Sequence, residues 1–457
     1  MHPTISRTLC RSFHALRRYP LFRHLAELEE TQWWPEERLR ELQLTRLRAI
    51  LQHAGQHVPY YRDLFRQVRF DPRDVQHLED VSLLPILTKA IIREHETQLM
   101  DERLNGRANA FRQTSGSTGR PLRVLAEPAT RAAWWAAKYR GHGWHGLGIG
   151  TRTASIWRRY KPGKDAVAER IRDWLHNDRV LACNGDVDAR SAREFYQYCL
   201  RYRPKLLCGY PSAVNLFAQR LEGELKLPGE ALGLERVLTA GESLLDDQAE
   251  RLRRVFGCPV IQEYGCMELG VLAFMCEQGT YHLTAEHDYV EAIPLDQGQG
   301  DQIIVTGLLV HEMPLIRYQL GDEIILGRRR CGCGRELPVL ERVVGRITAY
   351  LHLPDGRKVS SYDFVQLLKK VIPLRGIQQV RFIQEELTRV IVEIAADGGR
   401  PVAGAEQVIR TGFEEFAGTA VGLDFKWVNE IPPEATGKRS CFVSKLNQAQ
   451  HIPVATR

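Results

Sequence analysis

Apolar positions early in the chain repeat at helical spacing. Leu21, Leu25 and Leu28 fall on one face, and Leu39, Leu42, Leu44 and Leu47 continue the pattern. Residues 36–72 therefore read as helical, interrupted at Val58-Pro59. Trp33-Trp34-Pro35-Glu36-Glu37 marks the start, because proline suits a first turn and acids suit the positive end of the helix dipole. From about 114 to 345, short apolar runs alternate with amphipathic stretches. Leu206–Tyr210 and Arg236–Thr239 read as strands, each followed by small or polar residues and then by helical patterns over Ser212–Leu221 and Leu245–Phe256. That punctuation belongs to an α/β sheet, whose ligands collect at the carboxyl ends of strands. Strand signals dominate from 280 to 330, at Tyr289–Ile293, Asp301–Thr306 and Glu323–Leu326. After Gly345-Arg346 the pattern changes again. A hairpin around Pro354-Asp-Gly356 leads to a helix near 361–371, strands at Val380–Ile383 and Arg389–Ala395, and a helix over 404–417. The expected fold class is α/β. A large multi-sheet N-terminal domain takes residues 1–345, with a helical segment over about 1–75. A small α+β domain takes 346–457.

Charge adds one feature to this picture. The 63 Lys and Arg outnumber the 56 Asp and Glu, a net +7 over 457 residues. Part of the excess lies at the N-terminus, where Arg7, Arg11, Arg17, Arg18 and Arg23 precede the first acid, Glu27. A transit peptide or a nucleic-acid arm has this composition. A basic surface helix packed on the main domain accounts for the apolar spacing that follows. The excess is small and not interleaved with stacking aromatics, so nucleic acid is not expected as a partner. No run of eighteen apolar residues exists, so no membrane span is expected. Most of the ten cysteines are isolated in apolar settings, among them Cys183, Cys199, Cys208 and Cys258, which points to a reducing, cytoplasmic compartment.

The densest chemistry sits in Thr114-Ser-Gly-Ser-Thr-Gly-Arg-Pro121. Its two glycines let backbone N–H groups converge, and four hydroxyls add donors, so the run suits an anion such as phosphate. No Gly-Lys-Ser/Thr element closes it, so it is not a Walker loop. A flexible Ser/Gly linker is the plain alternative. Later segments extend the pattern: Thr239-Ala-Gly-Glu-Ser243 and Glu263-Tyr-Gly-Cys-Met-Glu268 after strands, Arg317-Tyr-Gln-Leu-Gly-Asp322 between strands, Gly345-Arg346, and Thr436-Gly-Lys438.

Taken in this order, these motifs resemble the adenylate-forming superfamily of acyl-CoA synthetases and adenylation domains. With Val58-Pro-Tyr-Tyr-Arg62, Leu84-Pro-Ile-Leu-Thr-Lys89 and Cys331-Gly-Cys-Gly-Arg335, the chain looks most like the phenylacetate–CoA ligase family. The resemblance covers almost the whole chain. It implies that Thr114, Ser115, Gly116, Ser117, Thr118 and Gly119 wrap the phosphates of ATP, with Thr118 also near Mg²⁺. Gly241, Glu242 and Ser243 would lie against adenine, Tyr264 and Gly265 on its other face, and Glu263 near the exocyclic amine. Glu268 would hold Mg²⁺, a hard ion that favours carboxylate oxygen. Asp322 would accept the ribose hydroxyls, Arg346 would reach the ribose-phosphate edge, and Lys438 would bridge the carboxylate and the α-phosphate. One position departs from the family: Thr348 stands where an acid is common, which bears on the hinge that rotates the smaller, lid domain.

The implied reaction is activation of a small carboxylic acid as acyl-AMP, then transfer to coenzyme A. A carrier-protein thiol, an amine or hydroxyl acceptor, or an enzyme that stops at the AMP ester are the alternatives. The turn at Tyr210 and Pro211 and the aromatics Trp135 and Tyr139 are the expected pocket walls, and they favour an aryl or arylacetic acid. Each of those aromatics alone also fits a helix core. Cys276, His282, Cys331 and Cys333 make a set of three thiolates and one imidazole, suited to closed structural zinc, with Cys266 and His287 as rival ligands. The family resemblance supports a zinc knuckle there. A homodimer is left open.

Overall fold

The computed structural model describes residues 2–16, 19–104, 111–113, 122–157, 164–182, 187–295, 299–327, 329–346, 350–359, 361–371, 374, 376–432 and 440–446. Helices Pro3–Leu16, Leu21–Thr31, Glu36–His57 and Pro59–Val68 open the chain. The break at Val58 follows from Pro59, which takes the first turn of the next helix and cannot continue the previous one. The basic first helix is docked: it buries Ser6, Cys10 and His14, and the Ser6 hydroxyl donates to the Leu175 carbonyl at 2.5 Å.

Strands β1 (Phe111–Gln113) and β2 (Arg123–Leu125) pair antiparallel as a separate ribbon. The principal sheet is built from β3 (Thr153–Trp157), β4 (Asp178–Ala182), β5 (Leu206–Gly209), β6 (Arg236–Ala240), β7 (Val260–Cys266), β8 (Gly270–Met275), β9 (Tyr281–Leu283), β10 (Asp288–Pro294), β11 (Asp301–Gly307), β12 (Tyr318–Leu326) and β13 (Val339–Arg346). Its eleven strands run in the order β10-β11-β12-β13-β9-β8-β7-β6-β5-β3-β4. The stretch from β4 to β7 is parallel and the remainder antiparallel.

The parallel strands are apolar because both faces are covered. Helices Ala189–Tyr202, Pro211–Gln219 and Asp246–Phe256 pack on one face. The first of these buries Ala192, Phe195, Tyr196 and Cys199 at helical spacing, and Asp188 caps it by accepting from the Ser191 N–H at 2.7 Å. Helix Pro128–Gly143 and the two N-terminal helices cover the other face.

Two strands run further than their sequence suggests. Glu263 and Tyr264 lie inside β7, which continues to Cys266 because it pairs antiparallel with β8, with a register shift at Gly265. Gly265 is required by close approach, since a Cβ there would stand 2.2 Å from the Gly270 carbonyl oxygen. The Tyr318–Asp322 segment is likewise not a connection between strands but the first half of β12. Gly321, at φ +87°, lets the strand bend without ending. A further segment latches onto β12: Leu87 forms a parallel bridge with Tyr318, donating to the Arg317 carbonyl at 3.0 Å and accepting from the Gln319 N–H at 2.9 Å.

The C-terminal part has its own core of Phe364, Phe382, Val392, Ile409 and Phe413. A hairpin of β14 (Leu351–His352) and β15 (Lys358–Val359) precedes helix Ser361–Val371. Strands β16 (Ile377–Glu386) and β17 (Arg389–Ala396), helix Ala405–Ala417, β18 (Gly422–Val428) and β19 (Phe442–Ser444) follow. The sheet order is β18-β17-β16-β19, with a central antiparallel pair and parallel edges. The Tyr350 hydroxyl donates to Glu323 at 2.7 Å, and Leu245 packs against this core, so the two parts touch.

Candidate active site

Asp322 stands opposite Arg346 in the β12–β13 ladder, and the Arg346 Nε lies 2.9 Å from its Oδ1. The other oxygen, Oδ2, accepts the Tyr264 hydroxyl at 2.8 Å. Both carboxylate oxygens are thus held from different strands, and Asp322 is buried. Burial, then the Asp322 charge, push the Tyr264 phenol well above its ordinary range, so it stays protonated and donates. The same charge, ahead of the opposing effect of burial, raises the Arg346 guanidinium.

Glu268 lies in the turn between β7 and β8. It is buried, and its Oε1 accepts the Tyr318 hydroxyl at 2.8 Å. Lys89 completes the cluster. Its ammonium donates to the Leu320 carbonyl at 2.9 Å. Burial chiefly lowers its pKa, aided by Arg346 and opposed by Glu268 and Asp322. Lys89 ends the Leu84–Lys89 motif, and local sequence assigns it no role. The Leu87–Tyr318 bridge carries it to the site, a long-range pairing that local pattern does not reveal.

The carboxyl ends of β5, β6 and β7 bring Tyr210, Gly241 and Tyr264 to one edge, since Gly209 pairs with Thr239 and Ala240 with Glu263. Gly241 has φ +81°, which turns the chain out of β6. Glu242 accepts from the Ser212 N–H at 3.0 Å and so tethers the turn after β6 to the start of the Pro211–Gln219 helix, where Pro211 is buried. Ser243 follows in the same turn. Cys441, at the far end of the chain, is near enough to Glu242 for that charge to raise its thiol further after burial has done so.

The Glu263 Oε2 lies 3.4 Å from the Lys138 ammonium on helix Pro128–Gly143. Tyr139 is buried among the N-terminal helices, stacked on His176 at 5.8 Å and 7° and on Trp135 at 5.8 Å. Trp135 shares this stack, while the Lys138 ammonium lies 5.8 Å from its ring centroid.

A second cluster lies apart. Cys276, His282, Cys331 and Cys333 place one ligand atom each within 4.8 Å of one another. Cys276 and Cys331 Sγ are 3.6 Å apart, and Cys333 Sγ is 3.2 Å from His282 Nε2. His282 Nδ1 lies 3.2 Å from the Leu337 carbonyl, which fixes the ring and leaves Nε2 toward the thiols. Arg335 joins the cluster to the N-terminal helices, its guanidinium 4.6 Å from the Trp144 centroid and 5.1 Å from that of Trp33. Cys266 is not in this cluster but beside Glu268, and His287 is buried near Arg46 and Arg140. The run Thr114, Ser115, Gly116, Ser117, Thr118 and Gly119, together with Thr348 and Lys438, lies outside the described residues.

The family model for AMP-binding enzymes matches residues 178–293, and that for the CapK C-terminal domain matches 351–445. Phenylacetate-coenzyme A ligase of Thermus thermophilus is 26% identical over 343 residues, 69% of this chain and 72% of that one. Protein CapK of Staphylococcus aureus is 20% identical over 421 residues, 89% of each chain. Among solved structures, 2-hydroxyisobutyryl-CoA ligase in its postadenylation state shares the fold with TM-score 0.72 and 18% identity, over 92% of this chain and 93% of the other. These sequence matches support an adenylate-forming ligase. Among such ligases the chain is phenylacetate–CoA ligase-like.

Proposed function

We propose that this ligase uses ATP to activate a carboxylic acid and then passes the acyl group to the thiol of coenzyme A. A carboxylate oxygen of the acid attacks the α-phosphorus, the bond to pyrophosphate breaks, and the thiol sulfur later displaces AMP. The acid is already ionised at neutral pH, so catalysis rests on positioning and charge neutralisation. The observation that carries this reading is Asp322. It is buried and anchored on both oxygens by Tyr264 and Arg346, so it suits an acceptor for two vicinal ribose hydroxyls. Tyr264 and Gly241 flank the place where an adenine would lie, and Arg346 and Lys89 offer positive charge for phosphate. Thr114–Gly119 and Lys438 are the expected phosphate and α-phosphate partners. Glu268, with the hydroxyl of Tyr318 holding one oxygen, has a hard donor set that fits Mg²⁺, which would neutralise phosphate charge.

Cys276, His282, Cys331 and Cys333 are proposed as a closed structural zinc site. Bonds of about 2.0–2.3 Å to a tetrahedral ion imply ligand separations of roughly 3.5–3.8 Å. The 3.6 Å and 3.2 Å separations of the two pairs fit that geometry to within a few tenths of an ångström. The domain boundary at 345–346, with the C-terminal part as a rotating lid, belongs to the same proposal.

Pyrophosphate release with a panel of carboxylic acids, followed by mass spectrometry of the products with and without coenzyme A, tests the reading. An acyl-CoA formed only with coenzyme A supports it. An amide or ester formed without coenzyme A replaces the acceptor.

A further inference from the structure

We propose that the hydrogen bond between Tyr350 and Glu323 holds the C-terminal part in the orientation that forms the acyl-AMP, and that this bond breaks before transfer to the thiol. This inference rests on the adenylation reading and adds a positioning pair to it. Arg346, the last residue of β13, pairs with Asp322 of β12, and Gly345 pairs with Glu323. Gly345 has φ +147°, a conformation that residues with a Cβ rarely adopt. Tyr350 stands four positions beyond Arg346 and precedes the C-terminal hairpin. Its hydroxyl donates back to Glu323 Oε2 at 2.7 Å. Glu323 directly follows Asp322, the proposed ribose acceptor. The C-terminal part is thus tied to the strand that carries that acceptor.

Both partners of this bond are buried. The other Glu323 oxygen, Oε1, accepts the N–H groups of Gln299 and Gly300 at 2.5 and 2.6 Å, so the carboxylate is fixed from the N-terminal side. Burial, then the bond to Glu323, raise the Tyr350 phenol above its ordinary range, so it stays protonated and donates. Removing a donor from a buried carboxylate costs more than losing a surface contact. Two further contacts belong to the same orientation. Leu245, between β6 and helix Asp246–Phe256, packs against the C-terminal core. Cys441 lies near enough to Glu242 for that charge to raise its thiol after burial has done so. Cys441 follows Lys438, the expected α-phosphate cation, by three positions. This orientation therefore suits the half-reaction that uses Lys438. The thiol step has another demand. The sulfur bonds to the acyl carbon, the bond from that carbon to the AMP oxygen breaks, and the thiol proton passes to solvent. A lysine held against the same carboxyl group crowds the approach of the sulfur, so one fixed orientation serves the first step better than the second.

The test measures the two half-reactions separately in the full chain, with the carboxylic acid that gives the fastest pyrophosphate exchange and its chemically prepared acyl-AMP. Tyr350→Phe deletes the hydroxyl and keeps the ring. Acid-dependent exchange of labelled pyrophosphate into ATP is expected to fall roughly tenfold. Formation of acyl-CoA from the acyl-AMP and coenzyme A should stay within about twofold of wild type or rise, since the held orientation no longer opposes it. Glu323→Gln should shift the ratio of the two rates in the same direction. Adding Tyr350→Phe to it should then change that ratio by no more than about twofold, because the pair acts as one unit. If Glu323→Gln does not fold, Tyr350→Phe alone decides. Equal losses in both half-reactions, as a loosened fold would give, or an unchanged ratio in Tyr350→Phe, overturn the proposal. Wild type that exchanges pyrophosphate but makes no acyl-CoA overturns the coenzyme A step and this inference with it. Folded wild type that exchanges pyrophosphate with no acid overturns the adenylation reading itself.

Discussion

Tyr264 donates its hydroxyl to Asp322 at 2.8 Å although their strands, β7 and β12, are separated in the sheet by β8, β9 and β13. Four strand steps of about 4.8 Å would hold them roughly 19 Å apart in a flat sheet. The sheet therefore folds over, and the three-residue strand β9 is the narrow join between its halves. The proposed nucleotide site is the crease so formed, and the Tyr264–Asp322 bond closes it.

Tyr264→Phe removes one donor from a charged acceptor. A bond of this kind is worth about 1.5–3 kcal/mol. We expect KM for ATP to rise roughly tenfold or more, with a smaller change in KM for the acid. Steady-state kinetics with each substrate varied checks the split.

Lys89→Met removes the cation that faces Glu268 and Asp322 while keeping the length of its stem. The two acids are then less balanced, and a polyanionic nucleotide is disfavoured. ATP affinity measured by calorimetry should fall roughly tenfold. Unchanged affinity would remove Lys89 from the nucleotide site.

Asp178 supplies a pH signature. Burial, foremost, pushes its carboxyl from 3.8 up to about 6. The folded state then binds the proton more tightly than the unfolded one. This contribution to stability is complete below pH 3.8 and is lost as pH rises through about 6. At 1.36 kcal/mol per unit the loss is on the order of 2–3 kcal/mol. Asp178→Asn lacks this titration. Melting curves from pH 4 to 7 should show wild type losing stability relative to the variant across that interval.

Zinc should be present at about one ion per chain in protein never exposed to chelator. Chelation, or Cys331→Ser, should lower Tm. It should also change the environment of Trp144, because Arg335 links the cluster to that ring. Elemental analysis and tryptophan fluorescence read the two effects. Metal-free protein of unchanged Tm would leave four reduced, unligated side chains.

Much of this was legible in the sequence. The Val58-Pro59 break, the strand–turn–helix units at Leu206 and Arg236, and the C-terminal hairpin and helices are written in local periodicity and in proline and glycine positions. Cys276, His282, Cys331 and Cys333 do lie together as the sequence pattern suggested, although residue types alone left Cys266 and His287 as rivals. Less legible was anything set by which helix covers which face. Tyr139 and Lys138 lie one residue apart on one helix, yet one is packed on His176 and the other meets Glu263. Aromatic content alone cannot tell these environments apart. Lys89 depends on the Leu87–Tyr318 bridge across 231 residues, and the length of β12 depends on a bend at Gly321. Such pairings are tertiary facts that no window of sequence contains.

The most direct test of the central claim is carboxylic-acid-dependent exchange of labelled pyrophosphate into ATP, run with wild type, Asp322→Ala and Lys438→Ala. Exchange should require an acid, and should fall at least roughly a hundredfold in both variants as the ribose anchor or the α-phosphate cation is lost. Folded wild type that binds MgATP but catalyses no exchange with any acid would contradict the account, as would full exchange in Asp322→Ala.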